Sequence, residues 1–166
     1  AELTDCVFQG NDRNWSLTYT VQGVVLVDCE WDAPRLGDLQ QTWTNRAGKL
    51  QVPKVIVRRQ TVVAVQDAAG RPVSGAEVVC QSEQESDGLP PLRKMKTDAQ
   101  GRTPAPGTPG VLLLTDYIRT AAADPASPAV SEYSYTLTAA AGGKTARMEK
   151  YRPAQAAGVI SIQLPE

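Results

Sequence analysis

The stretch that decides the fold is Tyr133-Ser134-Tyr135-Thr136-Leu137-Thr138-Ala139, which runs on through Ala140-Ala141-Gly142-Gly143 to a return from Lys144 to Tyr151. Tyr133, Tyr135, Leu137 and Ala139 share one parity, and Ser134, Thr136 and Thr138 share the other. Successive side chains of a strand point to opposite faces, so this segment reads as a strand with one buried and one solvated side. Gly142-Gly143 is a two-residue hairpin signal, because both central positions of a tight hairpin turn require positive φ.

The same period continues outward. Towards the C-terminus, Ile160, Ile162 and Leu164 alternate with Ser161 and Gln163, as in an antiparallel sheet. In the other direction, Val111 to Leu114 is an apolar run of strand size, preceded by the Pro/Gly loop Pro104 to Gly110. Further back lie Leu92 to Thr97, closed by Asp98-Ala99-Gln100-Gly101, and Ala76 to Cys80. Val55, Val57, Val63 and Val65 belong to a long β-branched segment that ends at Asp67-Ala68-Ala69-Gly70. No stretch holds apolar residues at helical spacing over three turns with a cap at each end. Seven short strands separated by turn signals predict an antiparallel β-sandwich over residues 54–166.

The first residues read differently. Leu3-Thr4-Asp5-Cys6-Val7-Phe8 recurs as Leu26-Val27-Asp28-Cys29-Glu30-Trp31, an offset of 26 − 3 = 23 residues. A repeat of that length marks stacked units, and one rung of a parallel β-helix has about this length. Residues 1–37 are therefore expected to be terminal rungs or a β appendage, and 38–53 a connection. Stacked layers would bring Cys6 and Cys29 about 4.8 Å apart, within the Cα range that permits a disulfide. Inward side chains on adjacent layers stack in parallel, however, which favours two unbonded thiols. With Cys80 the count is three, so at least one thiol is unpaired in the monomer, and all three suit small buried apolar positions.

Composition narrows the classes of function. A formal net charge of −1 with scattered Lys and Arg leaves no basic face for nucleic acid. No apolar run approaches the roughly 18 residues of a membrane-spanning helix, so membrane insertion is not expected. The chain begins at Ala1, consistent with a removed leader or with a segment of a longer protein. Its many Thr, Ser, Gly and Pro residues and short strands point to an extracytoplasmic setting.

Val65-Gln66-Asp67-Ala68-Ala69-Gly70-Arg71-Pro72-Val73-Ser74-Gly75-Ala76-Glu77-Val78 resembles the opening of carboxypeptidase-regulatory-like domains, the transthyretin-like β-sandwiches. Thr97-Asp98-Ala99-Gln100-Gly101 matches that family's second turn, and Tyr135-Thr136-Leu137-Thr138-Ala139 a later strand. The resemblance covers roughly residues 54–164. Residues 1–37 look like the closing rungs of a right-handed parallel β-helix of the pectate-lyase-like kind. Together these imply an all-β, seven-stranded transthyretin/Ig-like sandwich behind β-helix-like rungs. Such a chain would be a non-catalytic accessory module of a larger exported or cell-surface protein, with carbohydrate- or adhesion-related work.

The residues themselves carry little chemistry. There is no His, which removes Ser-His-Asp and Cys-His catalysis, and no Cys-x-x-Cys for zinc. No phosphate-cradling Gly motif is present. Neither catalytic residues, metal ligands nor a cofactor are expected. Glu83, Glu85 and Asp87 share a loop but lack calcium-loop spacing, and read as a solvated acidic segment. Asp28, Glu30 and Asp32 alternate, as on one solvated face of a strand. Trp15, Trp31 and Trp43 all precede the sandwich; they either stack on sugar rings or fill a core. The alternatives to an accessory module are a carbohydrate-binding module using these tryptophans and the C-terminal part of a polysaccharide lyase or hydrolase with its active site upstream. Expected partners are other domains of the parent protein, with polysaccharide as a candidate.

Overall fold

A computed structural model describes residues 2–8, 16–17, 23–31, 38–39, 43–44, 50–51, 54–82, 84, 88–104, 111–120, 129–153 and 158–166. Among these residues there is no helix: the protein is all-β. The strands begin with β1 (Glu2–Thr4), β2 (Val7–Phe8), β3 (Ser16–Leu17), β4 (Gly23–Val27) and β5 (Glu30–Trp31). Next come β6 (Asp38–Leu39), β7 (Trp43–Thr44), β8 (Leu50–Gln51) and the long β9 (Lys54–Gln66). Then follow β10 (Glu77–Ser82), β11 (Leu92–Lys96), β12 (Leu112–Thr120) and β13 (Ala129–Glu132). The chain closes with β14 (Tyr135–Ala141), β15 (Lys144–Tyr151) and β16 (Val159–Gln163). Between residues 54 and 164 the described strands number eight, β9 to β16, rather than the seven expected. The additional one is β13, which starts directly after Pro125 and Pro128 in the sequence.

Two compact units divide the chain, one of residues 1–58 and 117–132, the other of 59–116 and 133–166. The division falls inside β9 and again inside β12. In the first unit β1, β4 and the start of β9 form a parallel ladder. Glu2, Leu3 and Thr4 pair with Val25, Leu26 and Val27, and Val24 to Val27 pair with Val55 to Arg58. The pairing of β1 with β4, and of β2 with β5 through Val7–Glu30 and Phe8–Trp31, has the 23-residue offset of the sequence repeat. Side chains at matching positions therefore stack in columns. In the column Leu3–Leu26–Val57, exposure falls from 37% at Leu3 to 0% at the two inner positions, because Leu3 sits on the edge strand.

In the second unit, β11, β10, β14 and β15 form an antiparallel sheet in that order. Its inward column holds Val78, Cys80, Tyr135, Leu137 and Ala139, all buried, as the alternation requires. The hairpin between β14 and β15 turns at Gly142 and Gly143, with φ of 56° and 77°. The final strand departs from expectation: β16 pairs with β9 in parallel, Val159–Val62 through Gln163–Gln66. Ile160, Ile162 and Leu164 are buried all the same. Alternation records which face a side chain takes but is blind to strand direction. From Val55 to Val65 every β9 residue except Arg59 is buried, a strand covered on both faces, which suits its Val-rich composition.

Two turns of the second unit share one sequence, Asp-Ala-x-Gly-Arg, and one geometry. At Asp67 the carboxylate Oδ1 accepts the backbone N–H of Ala69 and of Arg71, each at 2.9 Å, and Gly70 takes φ 78°. At Asp98, Oδ1 accepts the N–H of Gln100 and of Arg102 at the same 2.9 Å, and Gly101 takes φ 70°. An Asp side chain satisfies the donors that a tight turn leaves unpaired, and the glycine supplies the left-handed step. In the second turn Gly101 alone is buried, held against β9 by the bond from Val65 N–H to Gly101 O at 2.7 Å, while Asp98, Ala99, Gln100 and Arg102 are exposed.

Candidate functional site

A cluster of polar side chains, Arg93, Cys80, Tyr135 and Thr115, converges inside the second unit. Arg93 and Cys80 are cross-strand neighbours on β11 and β10. One guanidinium nitrogen of Arg93 (Nη1) donates to Leu113 O on β12, and the other (Nη2) lies 3.7 Å from Cys80 Sγ. The guanidinium carbon stands 5.9 Å from the centroid of the Tyr135 ring. The Tyr135 hydroxyl donates to Thr115 O at 3.1 Å and accepts the Thr115 N–H at 2.8 Å. Tyr135 and Arg93 thus tie the four-stranded antiparallel sheet to β12.

The electrostatics of this cluster are those of a clasp. Burial pushes the Cys80 thiol up to about 11, against the smaller lowering effect of Arg93. Burial likewise raises the Tyr135 phenol, with the Thr115 hydrogen bonds opposing it. Both groups stay protonated at neutral pH, so the cluster offers neither a thiolate nucleophile nor a general base. Arg93 Nε and Thr115 Oγ1 are buried without a hydrogen-bond partner, a cost that the packing of this interior must offset. The alternation Arg93, Met95 against Leu92, Lys94, Lys96 places Arg93 on the inner face of β11, which is the only sequence signal for this role.

The second grouping is in the first unit, at the repeated Asp-Cys. Asp5 and Asp28 both adopt left-handed backbone, φ 52° and 50°, so each repeat turns a corner immediately after its strand. This overturns the reading of Asp28, Glu30 and Asp32 as one alternating face. A left-handed residue at Asp28 breaks the strand, β4 ends at Val27 and β5 starts at Glu30. Asp32 lies outside the described residues. The corners are held by backbone bonds between layers: Asp5 N–H to Val27 O at 3.0 Å, Asp28 N–H to Arg58 O at 3.0 Å, and Glu30 N–H to Cys6 O at 2.9 Å. Cys6 is half-buried, Cys29 and Cys80 are buried, and all three are thiols. Cys29 Sγ donates to Leu3 O at 3.4 Å, across the layer boundary, and Cys6 Sγ donates to Thr4 O at 3.4 Å. Burial raises the Cys29 thiol above its ordinary value, with Cys6 among the groups acting on it.

Of the tryptophans, Trp15 lies outside the described residues. Trp31 and Trp43 have their backbones in β5 and β7, and their side chains lie outside what is described. Glu83, Glu85 and Asp87 are outside the described residues as well. Among the described residues no group of three or more His, Cys, Asp or Glu side chains is placed to hold a metal ion.

With this geometry in hand, the class of protein is an all-β, β-sandwich-like fold. No protein-family model matches the chain, and no curated protein matches it.

Proposed function

We propose that this chain is a structural, non-catalytic accessory module of a larger exported or cell-surface protein. In this reading a transthyretin-like sandwich of the carboxypeptidase-regulatory-like kind follows terminal rungs of a parallel β-helix. The observation that carries it is the register of the first unit. Parallel pairs at the 23-residue offset of the sequence repeat, with a left-handed Asp corner in both copies, support the reading of stacked coils. The polar interior of the second unit supports a scaffolding role, since its thiol and phenol are held protonated and used as a clasp.

The test is turnover. The purified chain, incubated with a panel of soluble plant, bacterial and algal polysaccharides, is expected to release no reducing ends and no unsaturated products. Release from any of them by the chain alone, abolished by heat denaturation, would overturn the proposal.

A further inference from the structure

We infer that Cys6 and Cys29 form a redox-responsive staple, a thiol pair that closes to a disulfide by exchange with a low-molecular-weight disulfide. The inference does not depend on the accessory-module reading. It rests on register. Thr4 pairs with Val27 and Val7 with Glu30, both at an offset of 23, and 6 + 23 = 29, so the two cysteines stand opposite each other on adjacent layers. The bond from Glu30 N–H to Cys6 O fixes the two backbones side by side at that point. Adjacent strands are about 4.8 Å apart, inside the Cα separation that a disulfide spans. Cys29 Sγ already leans across the layer boundary to Leu3 O, and Cys6 Sγ bonds to the next carbonyl of the same strand, Thr4 O.

Exposure divides the roles. Cys6 is half-buried on the outer layer and Cys29 is fully buried beneath it. The Cys6 thiolate attacks one sulfur of the external disulfide, forms a mixed disulfide and expels the first thiolate. The Cys29 thiolate then attacks Cys6 Sγ, forms the internal S–S bond and expels the second. Two S–H bonds and the external S–S bond are lost, one internal S–S bond forms, and the external disulfide leaves as two thiols. The protein pair is oxidised and the small molecule reduced. Cys80, fully buried on β10 in the second unit and outside the register of the repeat, takes no part. Closure joins the edge layer, with its exposed Leu3 and Val7, to the layer inside it.

The experiment uses the full chain in glutathione redox buffers, followed by acid quench, unfolding, alkylation and intact-mass measurement. Alkylatable thiols are expected to fall from three to one, with the Cys6 and Cys29 peptides linked and Cys80 left alkylated. The unfolding equilibrium constant of the first unit should drop by ~300-fold on closure, from the loop-entropy relation for a bridge of this span. Cys29→Ser should stop at a glutathione adduct on Cys6, and Cys80→Ser should close as the parent does. Three thiols persisting in oxidising buffer, a link involving Cys80, or a glutathione adduct on Cys6 as the end point in the unsubstituted chain would each overturn the proposal. The unsubstituted chain supplies the deciding readout, so it does not depend on any variant folding.

Discussion

Gly70 and Gly101 occupy the same position of the same five-residue turn, and their substitution by alanine separates a local cost from a tertiary one. Both have left-handed backbone, φ 78° and 70°. A Cβ at Gly70 meets nothing within 4 Å, so Gly70→Ala carries only the left-handed penalty, about 1 kcal/mol. A Cβ at Gly101 would lie 2.7 Å from Val65 O, 2.9 Å from Pro72 Cβ and 2.9 Å from Val73 N. Two of these three atoms are backbone, so no flexible side-chain end can swing away. The turn must instead retreat from β9, which stretches the bond Val65 N–H to Gly101 O, while the added Cβ crowds both atoms of the bond Val73 N–H to Val65 O. At about 0.5–1.5 kcal/mol for each weakened bond, added to the left-handed penalty, Gly101→Ala should cost ~2–4 kcal/mol. Urea denaturation followed by far-UV circular dichroism measures both variants against the parent, with slopes compared to confirm that the same surface unfolds. If Gly101→Ala falls within ~0.5 kcal/mol of Gly70→Ala, below the cost of one weakened bond, the packing of the second turn against β9 is wrong.

Two further predictions follow from the interior of the second unit. Buried Thr97 donates its hydroxyl to Val73 O at 2.6 Å and accepts the Ala76 N–H at 2.9 Å. Thr97→Val keeps the shape but leaves both backbone groups unpaired, and should destabilise by ~1–3 kcal/mol in the same urea assay. The second prediction concerns alkaline pH. Burial lifts the Cys80 thiol from 9.0 to about 11, so between those values the folded chain holds a proton that the unfolded chain has released. Stability from this group is complete below pH 9 and is lost as pH rises towards 11, by about 2–3 kcal/mol for a shift of that size. Cys80→Ala should remove its share of that fall and leave the declines from Cys29, Tyr135 and Tyr151, each raised by burial; an unchanged pH profile would refute it.

Much of the strand inventory was open to reading because its signals are local. The Gly142-Gly143 hairpin and the two Asp-x-x-Gly turns depend on residues within a few positions of one another, and the structure has them as read. Of the alternating segment it has the buried face, Tyr133 to Ala139, but the strand starts at Tyr135 and Thr136 on the other face is buried as well. The 23-residue repeat also translated directly into register, because stacked copies of one unit place like residues at like positions. The corner at Asp28 was hidden. Asp is among the few side chains that tolerate left-handed backbone, but alternation with Glu30 and Asp32 mimics a continuous strand. The strand β13 was hidden because its four residues follow Pro125 and Pro128 closely, and prolines mark turns and loops.

Partnership was decided only by tertiary structure. Ile160, Ile162 and Leu164 bury the same faces whether their strand runs with β9 or against it, so only the fold could show that it runs parallel. Arg93 is an ordinary basic residue on an edge strand until Leu113, Cys80 and Tyr135, distant in sequence, converge on it. By itself the sequence determined where the chain is extended, where it turns and which faces are apolar, because side-chain chemistry sets those. The tertiary structure decided which strands meet and in which direction, because the backbone hydrogen bonds that join them are nearly the same for every residue type.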